Sequence, residues 1–520
     1  MKRTFLHLAL ALGASLMLFL WRGPAEARPT EVEHHITLDS TQLGVSTVAS
    51  GLDVPWEIAW GPDNWLWITE QGGTVSRIQP ATGQKKVLLV IPDVWRKRTT
   101  GLLGMALHPD MKRYPYVVVN YTFQRDSAAF SRLVRYTYQK DSLVGPLVLL
   151  EIPANTGHNG SRVSIAPDGK VYWATGDAVK DANAQDVQSL NGKILRLNID
   201  GSVPADNPMA GNPVWAWGFR NMQGLVWAGN GQCYTSEHGD ANDDEINLIH
   251  VKGNYGWPQV QGFAEGEEER SFSKTHSTLD PLKGWTPTIA PAGIDYYNHN
   301  AIPEWQNSLL LTTLKAQSFR VLKLNQAGTA IEAEAVHLDK TYGRLRDLCV
   351  SPQGDIYVST SNRDWNPAPG FPRPQDDRIL RIYRTGKIAA SKVPSSKPDN
   401  PAPARSTPVA KAKLTYTQYC ASCHKEDGKG VAGTFPPLKG ASKVMGNKKD
   451  LINLVLHGSV ATDGGKKKVY DQPMPAFGFL EDEAVAAVLT YVRSSWGNRA
   501  GAVTPAEVTQ VRKSKNSANQ

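Results

Sequence analysis

Apolar and polar residues alternate through most of 45–383, and Gly and Pro residues interrupt the alternation at short intervals. Alternation with a period of two is typical of β-strands with one buried face, and the turn residues mark where such strands end. Very little of this region shows the spacing of an amphipathic helix. The pattern therefore predicts a mainly β domain, to which we assign 28–383.

A short unit recurs within this domain: an apolar pair, a turn with Pro-Asp or Gly, and an aromatic strand that ends in Thr. Clear copies are 59–69 and 165–175, and weaker copies begin at Leu107, Trp227, Trp305 and Val350. Successive copies lie about 45 to 75 residues apart, close to the length of one four-stranded blade with its loops. We predict a six-bladed β-propeller, with a pair of β-sandwiches or a solenoid as the alternative.

The alternation stops after Tyr383, and the composition then changes twice. Residues 384–413 are rich in Ala, Pro, Ser and Lys, which cannot bury a core and predict a linker. In 414–498, helix and loop alternate, so a small all-α domain is predicted. Its last helix follows the acidic residues 481–483 and has an apolar stripe at Val485, Val488, Leu489, Val492 and Trp496. The polar residues 499–520 are predicted to form a mobile tail.

The small domain begins with Cys420-Ala421-Ser422-Cys423-His424, which is the attachment pattern of a c-type haem. On a helix these two thiols and the imidazole share one face, so they can bind the edge and the iron of one porphyrin. A chance match and a redox thiol pair are the alternatives. For the sixth iron ligand we predict Met474, because its Pro-Met-Pro setting resembles the methionine loop of class I cytochromes c. Met445 and His457 are the rival ligands.

The N-terminus predicts export. Lys2 and Arg3 precede an apolar run over 5–21, and Ala25-Glu26-Ala27 is a small-x-small cleavage site, so 1–27 is interpreted as a secretory signal peptide. An uncleaved membrane anchor is the alternative. Haem attachment outside the cytoplasm agrees with export and indicates a periplasmic or secreted protein without a stable membrane span.

Net charge and cysteine content bear on possible partners and on disulfide formation. The net charge of +8 comes without dense basic tracts, so nucleic acid is not predicted as a partner. Two of the 4 cysteines, Cys233 and Cys349, remain outside the haem motif. Both a disulfide and two buried thiols agree with the sequence, because a disulfide depends on geometry.

Polar residues with no evident packing role lie in the loops between the predicted strands. His158 lies between Gly157 and Asn159, and Arg220 precedes Asn221. The stretch from Glu237 to Glu245 contains five acidic residues in nine positions, which favours Ca²⁺ over a transition metal. Lys315 follows a predicted strand, and the alternation of Arg344 and Arg346 points both to one side. Each feature alone is also explained by a solvated surface; together they favour a base, cations and calcium around a polyanionic ligand.

At these residues the domain resembles the soluble PQQ-dependent sugar dehydrogenases of the glucose/sorbosone dehydrogenase family, which are six-bladed propellers. The resemblance covers about residues 45–383 and is carried by a set of short motifs: Trp-Gly-Pro-Asp at 60–63, Gly-Leu-Leu-Gly at 101–104, Gly-His at 157–158, the segments 218–224, 243–247 and 253–258, and Arg-Leu-Arg-Asp at 344–347.

The resemblance implies roles for individual residues. His158 would be the general base and Arg220 would stabilise developing negative charge. Asn221, Thr288, Lys315, Arg344 and Arg346 would hold PQQ, whose three carboxylates suit guanidinium and ammonium groups. The backbone oxygens of Gly239 and Asp240 would bind the calcium at PQQ, and Glu245 and Tyr255 would contribute to a second, structural calcium.

Three positions depart from the family pattern. Glucose-active members usually carry an Asp before the base and a Gln shortly before Gly-Leu-Leu-Gly, whereas this chain has Gly157 and Thr99. The usual Gly-Pro at the cofactor calcium is Gly239-Asp240, which adds a carboxylate of unassigned role. The acids and aromatics of 261–288, Trp285 among them, are expected either to line the substrate mouth or to decorate the surface.

The function expected from these features is a periplasmic quinohaemoprotein dehydrogenase. It would oxidise a sugar or a related polyol or aldehyde with PQQ and Ca²⁺, and pass electrons to its own haem c. An external acceptor, such as a cytochrome, a copper protein or the quinone pool, would then take them. A calcium-dependent, lactonase-like propeller hydrolase and a non-catalytic propeller that docks a redox partner are the alternatives.

Overall fold

The computed structural model describes residues 31–387, 412–413, 415–416, 419–431, 434–459, 474, 476–478 and 480–516. The predicted signal peptide and most of the predicted linker lie outside these residues. The described strands form six antiparallel sheets, five of four strands and one of five. The predicted six-bladed β-propeller is therefore confirmed.

The strands follow one another through the sheets in chain order. Strands β1 (His34–Thr37) and β2 (Thr41–Ala49) precede the first complete sheet. The first sheet contains β3 (Pro55–Trp60), β4 (Leu66–Glu70), β5 (Thr74–Ile78) and β6 (Lys85–Val90), and the second contains β7 (Leu102–Leu107), β8 (Tyr116–Arg125), β9 (Ala128–Gln139) and β10 (Ser142–Pro153). The third contains β11 (Gly160–Ile165), β12 (Val171–Thr175), β13 (Lys193–Leu197) and β14 (Val214–Trp217). The fourth contains β15 (Met222–Trp227), β16 (Cys233–Glu237), β17 (Asp244–Leu248) and β18 (Lys283–Trp285). The fifth sheet is β19 (Pro291–Tyr297), β20 (Ser308–Thr313), β21 (Phe319–Leu324) and β22 (Ile331–His337), and the last adds β23 (Leu345–Val350), β24 (Ile356–Thr360) and β25 (Ile379–Lys387).

The sheets close into a ring. The first strand of each sheet contacts the first strand of the next, and β23 contacts β3. In the last sheet β2 pairs with β25, so the N-terminal segment completes the sheet that the end of the propeller begins. Each sheet keeps two edge strands, one at the centre of the ring and one at its outside.

The repeat found in the sequence corresponds to the first two strands of a sheet. The copies at 59–69 and 165–175 fall on the β3–β4 and β11–β12 hairpins. Their apolar side chains fill the spaces between neighbouring sheets, where Trp67 and Trp173 are fully buried. The aromatic positions of the repeat are thus packing positions.

A buried ion cluster joins three sheets near the centre of the ring. The guanidinium of Arg162 on β11 contacts Glu57 on β3 at 2.5 Å and Asp347 on β23 at 2.9 Å. All three side chains are buried. Removing one partner would leave an uncompensated buried charge, so the cluster fixes how these sheets meet.

The predicted site residues lie at one end of the propeller. His158, Arg220 and Arg344 precede the first strand of their sheets, whereas Gly239 and Lys315 follow the second strand. Because the first two strands of each sheet are antiparallel, these positions share one end of the ring.

Helices are few in the propeller and dominate the described part of the C-terminal domain, as predicted. They are α1 (Ala182–Gln185), α2 (Glu267–His276), the 3₁₀ helix Pro303–Trp305, α3 (Ala421–His424), α4 (Ser442–Met445), α5 (Lys448–His457), α6 (Asp482–Ser494) and α7 (Pro505–Asn516). The predicted stripe of α6 is confirmed for Val485, Val488, Leu489 and Val492, which are all buried, whereas Trp496 lies beyond the end of the helix.

The prediction of a mobile tail from 499 onward is wrong for the described part of that segment. Helix α7 packs on α6 and α5, and Val508 and Val511 are buried in the core of the C-terminal domain. Two valines in a polar stretch were too weak a signal for a packed helix. The propeller also extends beyond 383, since β25 runs to Lys387.

Two further predictions concern cysteines and membrane spans. Cys233 and Cys349 are buried in different core clusters and form no disulfide, so the interpretation as two buried thiols is confirmed. Burial raises the pKa of both thiols. Within the residues that the structure describes, no helix is long and apolar enough to cross a membrane.

Candidate active site

The imidazole of His158 is held by a buried carboxylate that follows β12. His158 Nδ1 lies 2.9 Å from Asp177 Oδ1. The Asp177 side chain is fully buried, whereas that of His158 retains 20% exposure. A carboxylate at Nδ1 selects the tautomer with the proton on that atom, so Nε2 carries the lone pair. His158 is therefore oriented to accept a proton at Nε2.

Trp257 connects this pair to the arginine of the site. Its indole Nε1 donates to Asp177 Oδ2 at 2.9 Å, while its ring lies 5.3 Å from the guanidinium carbon of Arg220. Backbone Val179 N also donates to Asp177 Oδ1 at 2.7 Å. Asp177 thus receives hydrogen bonds on both oxygens, which fixes its plane and with it the imidazole.

Arg220 precedes β15, and both its backbone and its side chain are bound by the end of β16 and the loop that follows. Its backbone N–H donates to the buried carboxylate of Glu237, and its Nη2 contacts Asp240 Oδ1 at 2.8 Å. The carboxylate at position 240 therefore has a partner. Asp240 pairs with the predicted charge-stabilising arginine.

Arg344 and Arg346 point to the same side, as predicted, and meet at Asp364. Their Nη2 atoms lie 3.3 and 3.0 Å from Asp364 Oδ2. Burial acts to raise the pKa of Asp364, but Arg344 and then Arg346 outweigh it and hold that pKa below its ordinary value. Burial lowers the pKa of Arg346 to about 10, and Asp364 partly offsets this. The carboxylate of Asp364 thus holds two cations side by side.

A chain of side-chain amides links these two arginines to the first residue of β11. Arg346 Nη1 donates to Gln223 Oε1 at 3.0 Å, and Gln223 Nε2 donates to Asn221 Oδ1 at 3.2 Å. Asn221 Oδ1 also accepts from the backbone N–H of Gly160 at 3.1 Å. The predicted cofactor residues Asn221 and Arg346 are therefore brought together through Gln223, which the sequence did not single out.

Lys315 and Thr288 are in direct contact, with 2.6 Å between Nζ and Oγ1. Burial lowers the pKa of Lys315, and Asp244 partly offsets the effect. Asp244 also accepts from Gly239 N at 2.8 Å and from Ile289 N at 2.5 Å, so one carboxylate ties the predicted calcium loop to the segment of Thr288. Burial raises the pKa of Asp244 itself to about 6.

Several donors of this site have no hydrogen-bond partner among the described residues. They are the buried Nε atoms of Arg220, Arg344 and Arg346, which together with Lys315 we call the cation cluster; Nε2 of His238 is likewise buried without a partner. Burial, and then Arg346 and Arg220, lower the pKa of His238 well below its usual range. Buried donors without partners are rare in native proteins. The set fits a ligand with several carboxylates, as PQQ has.

Two buried glutamates lie next to each other at a small cavity beside Arg220, and they fit a cation. Burial, and then Glu245, raise the pKa of Glu237. Burial raises the pKa of Glu245 to about 7, and Asp243 adds to the effect. The amide of Asn247 donates to Glu245 Oε2 at 2.9 Å, while its own buried Oδ1 has no partner among the described residues. These oxygens are the donors that Ca²⁺ prefers.

Tyr255 lines the same cavity with its neighbours Glu237 and Glu245. Its hydroxyl donates to Leu248 O at 2.7 Å and accepts from His250 N at 2.9 Å. The side chain therefore is not available to a metal, and only the backbone oxygen of Tyr255 remains for the predicted role. In the described part of the chain, no three His, Cys, Asp or Glu side chains are grouped so that they could hold a metal ion. A calcium site here would therefore also need backbone oxygens.

The haem motif is arranged on helix α3. His424 is buried, and its Nδ1 lies 2.8 Å from the carbonyl oxygen of Pro436, which leaves Nε2 for iron. Cys420 and Met474 pack against one apolar cluster of the C-terminal domain. The rival ligand Met445 is 41% exposed. This donor set fits a covalent haem with His and Met axial ligands.

Two expectations about substrate contacts take a clearer form. The hydroxyl of Thr99 donates to Thr156 O at 2.9 Å, so it is used within the protein. Trp285 Nε1 lies 3.2 Å from both carboxylate oxygens of Glu334 on the outer strand β22, so Trp285 belongs to the rim of the sheet. Trp285 is buried in the core cluster between the fourth and fifth sheets, so neither the substrate mouth nor surface decoration describes it.

Sequence reasoning missed Asp177, Gln223, Trp257 and Asp364. The repeat could have located two of them, because Asp177 and Asp364 follow the second strand of their sheets, as Lys315 does. Gln223 and Trp257 lie within motifs that carried the family resemblance, but nothing in the sequence indicates which partner they bind.

Comparison with known proteins covers both domains. The family model "Glucose / Sorbosone dehydrogenase" matches residues 52–366, and the model "Cytochrome c" matches 409–496. Quinoprotein glucose dehydrogenase B of Acinetobacter calcoaceticus is 32% identical over 411 residues, which cover 62% of this chain and 86% of that protein.

A solved structure and a cytochrome subunit extend the comparison. The PQQ-bound form of aldose sugar dehydrogenase from Streptomyces coelicolor has 32% identity and a TM-score of 0.58, covering 66% of this chain and 98% of that one. The cytochrome c subunit of the quinone alcohol dehydrogenase of Gluconacetobacter polyoxogenes is 41% identical over 103 residues, or 19% of this chain and 21% of that protein.

Proposed function

The chain belongs to the glucose/sorbosone dehydrogenase family, and from this premise we propose a PQQ- and Ca²⁺-dependent dehydrogenase that delivers its electrons to a haem c in its own cytochrome c domain. The chain is a sugar dehydrogenase propeller followed by a cytochrome c domain. The substrate class is an aldose or a sorbosone-like polyol or aldehyde.

One observation carries the proposal: the cation cluster with its unpartnered buried donors lies at the same end of the propeller as the oriented base His158. A lactonase-like hydrolase would not need the three cations Arg344, Arg346 and Lys315 at the same end of the propeller as the base. A non-catalytic propeller would not need the carboxylate that holds His158 in one tautomer.

The residues divide the work as follows. When bound, PQQ supplies an ortho-quinone that accepts hydride from a substrate carbon. Arg344, Arg346, Lys315 and Thr288 would hold its carboxylates, and Asn221 would contact it as well. The backbone oxygens of Gly239 and Asp240 would hold the Ca²⁺ beside it.

The chemistry that the chain itself performs is proton transfer and charge stabilisation. His158 Nε2 accepts the proton of the substrate hydroxyl as the C–H bond breaks, and Asp177 stabilises the imidazolium that forms. Arg220, with its Nη2 on Asp240, offers its remaining N–H groups to oxygen atoms that gain negative charge.

The location and the final acceptor are part of the same proposal. The predicted signal peptide at 1–27 and the c-type haem motif support a location in the periplasm or outside the cell. The haem would pass electrons one at a time to an external cytochrome, a copper protein or the quinone pool.

The test is substrate-dependent reduction of the haem. Purified holo-protein with haem attached is reconstituted with PQQ and Ca²⁺, mixed with a panel of aldoses and sorbosone-like aldehydes, and followed at the haem absorbance band. Prompt reduction by at least one substrate, absent without PQQ, is expected. If no substrate reduces either the haem or a small dye acceptor, the proposed function is wrong.

A further inference from the structure

The cytochrome domain contacts the propeller beside the candidate active site. The ring of Phe435 lies 6.0 Å from that of Trp365, and Lys425 Nζ donates a hydrogen bond to Asn366 Oδ1. Ala241, in the predicted calcium loop, packs into the apolar cluster of the cytochrome domain. Contacts therefore come from two loops at the same end of the propeller, one after β16 and one after β24.

The face of the cytochrome domain that makes these contacts belongs to the haem motif. Lys425 directly follows the predicted iron ligand His424, and Phe435 directly precedes Pro436, whose carbonyl orients that imidazole. The helix that carries the haem motif and the loop that orients His424 therefore lie on the side of the cytochrome domain that contacts the propeller.

The propeller side of the contact is continuous with the predicted cofactor cradle. Trp365 directly follows Asp364, and its backbone N–H donates to Asp364 Oδ1 at 2.7 Å. Asp364 in turn binds Arg344 and Arg346. The ring of Trp365 also packs with Arg98, whose guanidinium carbon lies 4.6 Å from the ring centre. The indole is therefore held in place between the site and the cytochrome domain.

We propose that Trp365 and Asn366 form the docking surface on which the chain's own cytochrome domain receives electrons, with Phe435 and Lys425 as the matching contacts. This inference rests on the proposed function and adds the surface through which the two domains exchange electrons. Aromatic packing and one hydrogen bond hold the contact.

The electron count fits such a contact. Oxidation of one CH–OH group to C=O releases two electrons and two protons. Each docking event moves one electron to the haem and reduces Fe(III) to Fe(II). The external acceptor re-oxidises the haem between the two transfers, and the protons leave to water, the hydroxyl proton through His158.

The test compares two electron routes in the full-length holo-protein loaded with PQQ and Ca²⁺. Lys425→Ala and Phe435→Ala remove the contacts from the cytochrome side and leave the dehydrogenase domain unchanged. We expect activity with a small dye acceptor, phenazine methosulfate with dichlorophenolindophenol, to stay within about twofold, and substrate-driven haem reduction in stopped flow to slow at least about tenfold. Tyr114→Ala, an aromatic deletion in the β7–β8 turn at the opposite end of the propeller, is the matched control and should change neither rate.

Two further measurements separate docking from other effects. The haem spectrum and reduction potential of both variants must match those of the unaltered protein, so that a slow rate reports the contact. Small-angle scattering should show a larger radius of gyration for Trp365→Ala/Phe435→Ala. Haem reduction at the unaltered rate in both single variants would overturn the proposal. Loss of the dye reaction in the unaltered protein would instead contradict the proposed function, and the scattering result would then decide the docking surface alone.

Discussion

The indole nitrogen of Trp257 and the carboxylate of Asp177 are joined by a 2.9 Å hydrogen bond that connects two parts of the active site. Asp177 orients His158 through its other oxygen, and the Trp257 ring faces Arg220. The base and the cation are therefore positioned by one pair of buried side chains, neither of which needs to touch a substrate.

Removing the base and removing its support should have different effects. His158→Ala is expected to lower kcat by about 10²- to 10⁴-fold, the usual contribution of a general base. Asp177→Asn should lower kcat by about 10- to 100-fold with KM nearly unchanged, because the imidazole remains but loses its fixed tautomer. Steady-state kinetics with a dye acceptor measure both effects. Asp200→Asn, in an exposed turn, is the control, and an Asp177→Asn enzyme with unaltered kcat would remove Asp177 from this role.

Arg346 should contribute directly to PQQ affinity. Its Nη atoms are used by Gln223 and Asp364, while its buried Nε is left for the cofactor. A hydrogen bond to a charged group contributes about 1.5 to 3 kcal/mol, so Arg346→Gln should weaken PQQ binding by roughly 10- to 150-fold. Titration of the apo-protein with PQQ, followed by fluorescence, measures the dissociation constant. Arg381→Gln, an arginine that pairs with Asp355 away from the site, should leave it unchanged.

The sequence indicated more about the fold than about how the site is held together. Periodicity and the repeat predicted the propeller because the first two strands of each sheet carry the same packing demand, as Trp67 and Trp173 illustrate. Single loop residues such as His158 and Arg344 stood out because packing does not explain them. Asp177 and Asp364 did not, because an aspartate after a strand is common in turns and only its burial distinguishes it. Contacts between distant segments, such as that of Gln223 with Arg346, leave no local pattern.

The paired glutamates of the small cavity should make propeller stability depend on calcium. Burial and Glu245 raise the pKa of Glu237, and burial and Asp243 raise that of Glu245, so both carboxylates are costly to ionise and a bound cation would remove that cost. At a Ca²⁺ concentration of 100 times Kd, the stabilisation amounts to about 2.7 kcal/mol. Thermal unfolding with Ca²⁺ and with a chelator should reveal this difference, and Glu245→Gln should largely abolish it. Glu267→Gln on the exposed helix α2 serves as the control; a full calcium effect in Glu245→Gln would exclude Glu245 as a ligand.

Asp295 should make the propeller less stable as the pH rises. Burial raises the pKa of Asp295 from 3.8 to about 7, although backbone N–H groups of Tyr296 and Val350 oppose the shift. A carboxyl group whose pKa is higher in the folded protein favours folding at pH values below its ordinary pKa, and this contribution disappears as the pH rises through about 7.

From pH 5 to 8 we therefore expect a loss of roughly 1 to 3 kcal/mol in unfolding free energy from this residue. Asp295→Asn should flatten that slope at saturating Ca²⁺, while Asp339→Asn at an exposed position should not. Denaturant unfolding at both pH values gives the comparison, and equal slopes in the variant and the unaltered protein would contradict the assignment.

Met474 should set the properties of the haem without affecting sugar oxidation. Its backbone N–H donates to Ser459 Oγ at 2.7 Å, and its side chain packs against the same apolar cluster as Cys420. A thioether ligand raises the potential of a c-type haem, so Met474→Ala should lower it and leave the iron with an open position that binds carbon monoxide when reduced. Because the lower potential makes electron transfer to the haem less favourable, substrate-driven haem reduction should slow while the dye-linked rate stays unchanged.

Potentiometric titration and carbon monoxide difference spectra measure the change, and Met445→Ala at the exposed rival position is the matched control. If Met445→Ala lowered the potential and Met474→Ala did not, the sixth ligand would be Met445 and the loop of Met474 would have a packing role only.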